Sequence, residues 1–273
     1  MRILFFGDVY GRVGREVLAR RIGPLVKETG ADAVIVNGEN AAGGKGITAQ
    51  ICRELFALGV DVITLGNHAW DKREIATYID EEPRLIRPLN YPPGTPGGGS
   101  YVVRREGRPA LAVVQVQGRV YSPQLLEDPF RAVEGEVERL RQSTPIIVVD
   151  CHADATSEKQ AMGWFLDGQV SAVIGTHTHV QTADEVVLPG GTAYITDVGM
   201  CGPWVSVIGA ERELALERFL TQLPVRLEAA KGPAVLCAVL LEVDDRTGRA
   251  TDIRRIFERE VATEPLASLF GRW

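Results

Sequence analysis

The sequence predicts an α/β protein, a strand–helix alternating core with antiparallel strands added to it. Short β-branched and apolar runs alternate with segments whose apolar residues recur at helical spacing. Polar and titratable residues follow directly on several of the runs, at the strand ends where open α/β sheets bind ligands. Two further pairs of runs, 100–104 with 110–116 and 234–243 with 250–258, are joined by short turn sequences and read as hairpins. The most informative stretch is Gly175-Thr176-His177-Thr178-His179, after the buried-strand pattern 170–174. The chain is expected to leave the sheet near Gly175 and to carry both imidazoles on the loop beyond.

In order, residues 2–7 read as a buried strand ending at Gly7-Asp8, followed by a Gly-rich turn to Gly14. Val17, Leu18, Ile22, Leu25 and Val26 then mark one side of a helix, and Pro24 predicts a kink or break in it. Gly7, Gly11 and Gly14 lack the spacing of a dinucleotide fingerprint. Residues 33–36 form the second strand, ending in Asn37-Gly38-Glu39-Asn40. The glycines beyond it resemble a phosphate loop, but Gly46 follows Lys45 where an ATP site needs Ser or Thr. Thr48 is expected to cap a helix through 58, and strand 60–65 leads to Asn67 and His68. Asp71 and Glu74 resemble a capping box for a helix to about Tyr78, and 83–99 reads as a Pro/Gly-rich surface loop.

After the first hairpin, 117–128 is a polar excursion and 130–142 is helical. Strand 146–149 delivers His152. The loop 153–159 offers hydroxyls and Lys159 for an oxyanion, or a helix N-cap at Ser157. Strands near 184–188 and 192–196 flank Pro189-Gly190-Gly191, the loop 197–209 suits a pocket rim, and a helix lies near 210–221. With 273 residues and no linker composition, one domain over 1–273 is expected.

The net charge of −6 argues against a broad nucleic-acid surface while allowing a local anion pocket. Four cysteines without paired spacing, and no signal peptide or long apolar run, read as free thiols in a reducing cytoplasm with no membrane anchor. All four histidines lie within five residues of a predicted strand end. Collected with their neighbours, the strand-end residues are Asp8, Glu39, Asn40, Asn67, His68, His152, His177 and His179. If one carboxylate is shared, these eight can fill two metal sites. Their mixed oxygen and nitrogen donors suit iron, manganese or zinc and not calcium. Two metals ~3.5–4 Å apart can generate a hydroxide and clamp a phosphoryl group.

These motifs resemble the calcineurin-like metallophosphoesterase superfamily, whose five signature blocks occur in the same order. Two departures stand out: the usual Asp-x-His is Asp8-Val9-Tyr10, and the usual Gly-Asp-x-x-Asp is Gly38-Glu39-Asn40. Both match one branch, the bacterial YmdB-like 2′,3′-cyclic nucleotide phosphodiesterases. The branch pattern also covers Gly66-Asn67-His68-Ala69-Trp70-Asp71, the run from His152 to Lys159, and the block from Gly175 to Val180. Asp154 stands where that pattern has Glu. The similarity continues through Gly202-Pro203 and the 212–223 helix.

The resemblance implies a four-layer α/β/β/α metallophosphoesterase sandwich holding two transition-metal ions per chain, iron first, with manganese or zinc as alternatives. It implies Asp8, Glu39, Asn40 and His179 around one ion. Glu39 bridges to a second, completed by Asn67, His152 and His177. His68 is left as general acid, and a metal-bridging hydroxide opens a 2′,3′-cyclic nucleotide to the 3′-nucleotide. The alternatives are a broader phosphomonoesterase or protein phosphatase with the same metals, and a nucleotide-sensing regulatory protein with little turnover. The expected partner is a small cyclic nucleotide or other phosphoester, with no membrane and no extended nucleic-acid surface; self-association is left open.

Overall fold

Along β1 (Arg2–Phe6), Ile3 and Phe5 face one core and Leu4 and Phe6 another, and all four are fully buried. A strand alternates its side chains, so apolar residues on both faces demand cover on both sides. In the computed structural model, which describes residues 1–261, the same alternation sets the whole architecture. Residues 262–273, the end of the expected 1–273 domain, lie outside the described residues.

The remaining strands are β2 (Asp8–Val9), β3 (Ala33–Asn37), β4 (Val62–Thr64), β5 (Leu85–Ile86), β6 (Ser100–Val103), β7 (Leu111–Gln117) and β8 (Ile147–His152). They continue with β9 (Ala172–Thr176), β10 (Val186–Val187), β11 (Ala193–Ile195), β12 (Met200–Pro203), β13 (Ala234–Val243) and β14 (Ala250–Arg259). The helices are α1 (Gly11–Thr29), α2 (Ala49–Ala57), α3 (Ile75–Glu81), α4 (Pro129–Arg141), α5 (Thr156–Phe165) and α6 (Arg212–Thr221).

One sheet runs β2-β12-β13-β1-β3-β4-β5, with β14 on the other edge of β13; the second runs β10-β11-β9-β8-β7-β6. In the first, β1, β3, β4 and β5 are parallel, and β13 joins β1 antiparallel. In the second, β7, β8, β9 and β11 are parallel, with antiparallel strands at both edges. Phe5, Ile35 and Val239 of the first sheet meet Val113, Val148 and Ile174 of the second in a shared core. Outside it, Val17, Leu18, Ile51 and Leu55 of α1 and α2 cover Leu4, Phe6 and Val36. On the far side, Val133 and Val137 of α4 and Met162 of α5 cover Val114, Val149 and Val173. The layers are therefore α/β/β/α, as expected.

Several local expectations change. Asp8-Val9 is a short strand parallel to β12, and α1 already begins at Gly11, so the proposed turn to Gly14 does not exist. Pro24 lies inside α1 without ending it; Gly23 precedes it and has no Cβ to meet the proline ring. Thr48 does cap α2, its hydroxyl accepting the Ile51 N–H at 3.3 Å. The capping box at Asp71 and Glu74 does not form. Asp71 turns to His68, and Glu74 accepts the Ala49 N–H at 2.8 Å. The segment 83–99 is not only surface, because it contains buried β5, and buried Arg87 gathers the carbonyls of Pro88, Thr95, Pro96 and Gly97. Ala155, not Ser157, precedes α5. Within 197–209, β12 occupies the part expected to be loop.

Gly175, in β9, shows how tightly adjacent strands are packed beside the histidines. A Cβ there would lie 1.7 Å from the Thr196 carbonyl oxygen. Gly175→Ala should lower unfolding stability by about 1–3 kcal/mol or more, because strands must separate to admit it. Gly135→Ala, in α4 with nothing within 4 Å, should instead raise it by about 0.5–1 kcal/mol. Urea titration of both variants checks the pair.

Candidate metal centre

All eight strand-end residues gather at one end of the two sheets. His152 is the last residue of β8, Asp8 opens β2, Glu39 and Asn40 follow β3, and Asn67 and His68 follow β4. His177 and His179 follow β9 with φ of 101° and 66°, left-handed values that non-glycine residues rarely adopt. That backbone takes the chain out of the sheet at once. It sets His177 Nδ1 3.1 Å from His152 Nε2 and His179 Nε2 3.9 Å from Asp8 Oδ1.

The donors form two overlapping groups. Ligand-capable atoms of Glu39, His152 and His177 lie within 4.8 Å of one another, and so do those of Asp8, Glu39 and His179. Glu39 belongs to both. Asn67 Oδ1 lies 2.9 Å from His152 Nε2, which is also 3.2 Å from Glu39 Oε1. Asp8 Oδ1 and Asn40 Oδ1 are buried without a hydrogen-bond partner, while Asn40 Nδ2 is spent on the Gly44 carbonyl at 3.0 Å. A buried oxygen left unpaired costs about 1–3 kcal/mol. Two such oxygens beside three imidazoles are a chemically fitting cradle for cations.

The ring tautomers suit the same purpose. His179 Nδ1 is 2.7 Å from the Ile208 carbonyl, which can only accept, so Nδ1 carries the proton and Nε2 keeps its lone pair. Thr176 Oγ1 donates to Asp150 at 2.6 Å and accepts from His152 Nδ1 at 2.9 Å, so His152 Nε2 is the ring nitrogen turned toward the other donors. Without a cation, Glu39 holds a proton on His152 Nε2, which a metal ion would have to displace. Burial raises Asp8 to about 7, against the pull of His179 and His152. Burial would raise Glu39 too, but the charge and hydrogen bond of His152 prevail and lower it to about 2. Burial disfavours charge on His152, yet Glu39 lifts it to about 9. Burial and then the charge of His152 push His177 down to about 3, so its ring is neutral.

His68 stands apart from both donor groups. Its N–H donates to Glu39 Oε2 at 3.1 Å, and its ring Nδ1 lies 3.1 Å from Asp71 Oδ2. It lines an open cleft of about 570 Å³ with Glu39, Asn40, His177 and His179.

Residues 4–256 match the family described as YmdB-like protein. The chain belongs to that family. It is 50% identical over 256 residues, 94% of this chain and 96% of the other, to a Bacillus subtilis (strain 168) protein named 2′,3′-cyclic-nucleotide 2′-phosphodiesterase. A crystal structure of a hypothetical protein from Thermus thermophilus matches with TM-score 0.88 and 44% identity, covering 96% of this chain and 100% of that one. A crystal structure of a novel phosphatase from Mycoplasma pneumoniae matches with TM-score 0.90 and 35% identity, covering 99% of each.

This YmdB-like chain also places residues that sequence reasoning missed or misread. Asp150, fully buried, accepts from Asn37 Nδ2 at 3.0 Å, Thr64 Oγ1 at 2.5 Å and Thr176. The only signal for it was a carboxylate inside the apolar run 146–151. Tyr10, which replaces the superfamily histidine, packs edge-on against His179 with ring centroids 5.4 Å apart. Asp154 sits on the rim, its Oδ2 3.9 Å from His177 Nε2.

Lys159 is not an oxyanion holder. It is fully buried, and its Nζ donates to Asp197 Oδ2 at 2.7 Å. The same carboxylate accepts the Thr178 N–H at 3.0 Å and, through Oδ1, the Gly199 N–H at 2.8 Å. This clamp grips the residue between the two left-handed histidines. Lys159→Met, which strands a buried carboxylate, should lower stability by about 3–5 kcal/mol. Lys159→Met/Asp197→Asn should regain part of that loss, as read by denaturant unfolding of both variants.

Proposed function

We propose that this protein hydrolyses 2′,3′-cyclic nucleotides to 3′-nucleotides at a dinuclear metal centre. Asp8, Glu39, Asn40 and His179 would hold one ion, and Glu39, Asn67, His152 and His177 the other. The observation that carries the reading is Glu39, common to both donor groups, with the unpaired oxygens of Asp8 and Asn40 beside it. The name of the Bacillus subtilis relative supplies the substrate class. Mixed carboxylate, amide and imidazole donors suit iron, with manganese or zinc able to use the same set. A bound pair of such ions supplies a nucleophilic hydroxide at neutral pH and neutralises phosphoryl charge.

The remaining steps fall to the chain itself. Opening the ring expels the 2′ oxygen, a poor leaving alkoxide. His68, part of the cleft but outside both donor groups, would deliver a proton to it from Nε2 while Asp71 holds the ring through Nδ1. A phosphomonoesterase is the second reading, favoured by the phosphatase description of the Mycoplasma pneumoniae structure. No helix among the described residues is long and apolar enough to cross a membrane. All four cysteines are free and buried, which suits a reducing cytoplasm.

Hydrolysis of 2′,3′-cyclic AMP beside 3′,5′-cyclic AMP and a nucleoside monophosphate tests the substrate, with the 3′-phosphate as the expected product. Preference for the monophosphate would move the assignment to a phosphatase. Glu39→Ala should lose both metals by elemental analysis, and full occupancy in that variant rules out a bridging role. His68→Ala should keep its metals and lose turnover by ~10²–10⁴ on the cyclic nucleotide, with a smaller loss when p-nitrophenolate departs.

A further inference from the structure

The cleft has two unlike parts. The donors Glu39, Asn40, His177 and His179 make one part of the lining, and Val207, Ile208, Phe219 and Leu227 make an apolar part that adjoins it where Ile208 meets His179. The apolar part comes from α6 and its flanks, and α6 is unusual among the helices. It buries only Ala215, while Phe219 is 69% exposed and Ile208 53%. Apolar side chains left open in a cleft that also holds a cluster of polar donors are the usual lining of a small-molecule site. None of these four side chains can donate or accept a hydrogen bond. Lys45 and Arg218 complete the same lining with positive charge.

We propose that this wall is a nucleoside subsite, in which Phe219 and Ile208 pack against the flat face of the base. The inference rests on the phosphodiesterase reading above and extends it to recognition. The phosphoryl group lies among the donors, and the rest of the molecule must occupy the cleft that continues from them. The apolar wall meets the base ring, and Lys45 and Arg218 suit the oxygens of the sugar and phosphate. Stacking uses the π-face that every base possesses and is tolerant of sequence. The subsite therefore separates nucleoside cyclic phosphates from simple ones, and discriminates weakly between adenine and guanine.

The test compares wild type with Phe219→Ala on 2′,3′-cyclic AMP and on glycerol 1,2-cyclic phosphate, which has the same strained diester and no base. Phe219→Ala should raise KM for cyclic AMP on the order of tenfold, the scale of a lost stacking contact, with kcat little changed. Kinetics on the glycerol ester should not move, and Phe219→Trp should keep the wild-type KM. An unchanged KM for cyclic AMP, or an equal rise on both esters, overturns the subsite. A Phe219→Ala protein that falls from oligomer to monomer in sedimentation with unaltered KM assigns the wall to a subunit contact instead. If wild type hydrolyses neither ester, the phosphodiesterase reading fails separately. The wall is then judged by calorimetry with adenosine 3′-phosphate, whose binding Phe219→Ala must weaken and glycerol 3-phosphate binding must not.

Discussion

Buried negative charge is the constraint around which this end of the molecule is built. Asp8, Glu39, Asp150 and Asp197 are each at most 1% exposed, and a carboxylate in such surroundings must be compensated or protonated. Each is handled differently. Asp197 has the Lys159 ammonium. Asp150 has three neutral donors, and burial still raises its pKa. Glu39 has the His152 ring. Asp8 receives the His177 N–H on one oxygen at 3.2 Å and has no hydrogen-bond partner on the other. The series descends from full compensation in the frame to incomplete compensation at the centre. That gradient marks where a cation belongs.

The frame explains how unfavourable backbone is tolerated. Two left-handed non-glycine residues in three would on their own cost of order 1–3 kcal/mol each. Asp8 fixes the N–H of the first, Asp197 the N–H between them, and the Ile208 carbonyl the ring of the second. Those anchors come from β2, from the segment after β11, and from the loop before α6. The histidine loop is thus tied to both sheets, and the donors of one sheet are registered against those of the other.

Much of this was legible in the sequence because histidine is scarce and strand-end placement is a simple pattern. Alternating apolar residues gave the two-faced strands, and the hairpins at 100–116 and 234–259 followed from their turns. What escaped was every role settled by a distant partner. Lys159 reads as a loop cation available to an oxyanion, because its partner Asp197 stands 38 residues away. Asp71 and Glu74 matched a local capping motif, but His68 and the Ala49 N–H claim their carboxylates. Val207 and Ile208 of the wall fall in the loop 197–209, which reads as a pocket rim, but Phe219 and Leu227 carry no signal, since an exposed apolar helix face reads as an ordinary buried one until its surroundings are known.

Tyr10 makes the two proposed metal positions unequal. With a phenol where the superfamily has an imidazole, the position near Asp8 has His179 as its one nitrogen donor and oxygens for the rest. The position near Asn67 has two nitrogens, from His152 and His177. Burial also raises the Tyr10 pKa, which disfavours the phenolate. The late first-row divalent ions favour nitrogen, while manganese and ferrous iron accept oxygen-rich surroundings more readily. On the proposed ligand sets, the two positions would differ in the ion they prefer. The exchange at Tyr10 would then be what sets the proposed positions apart.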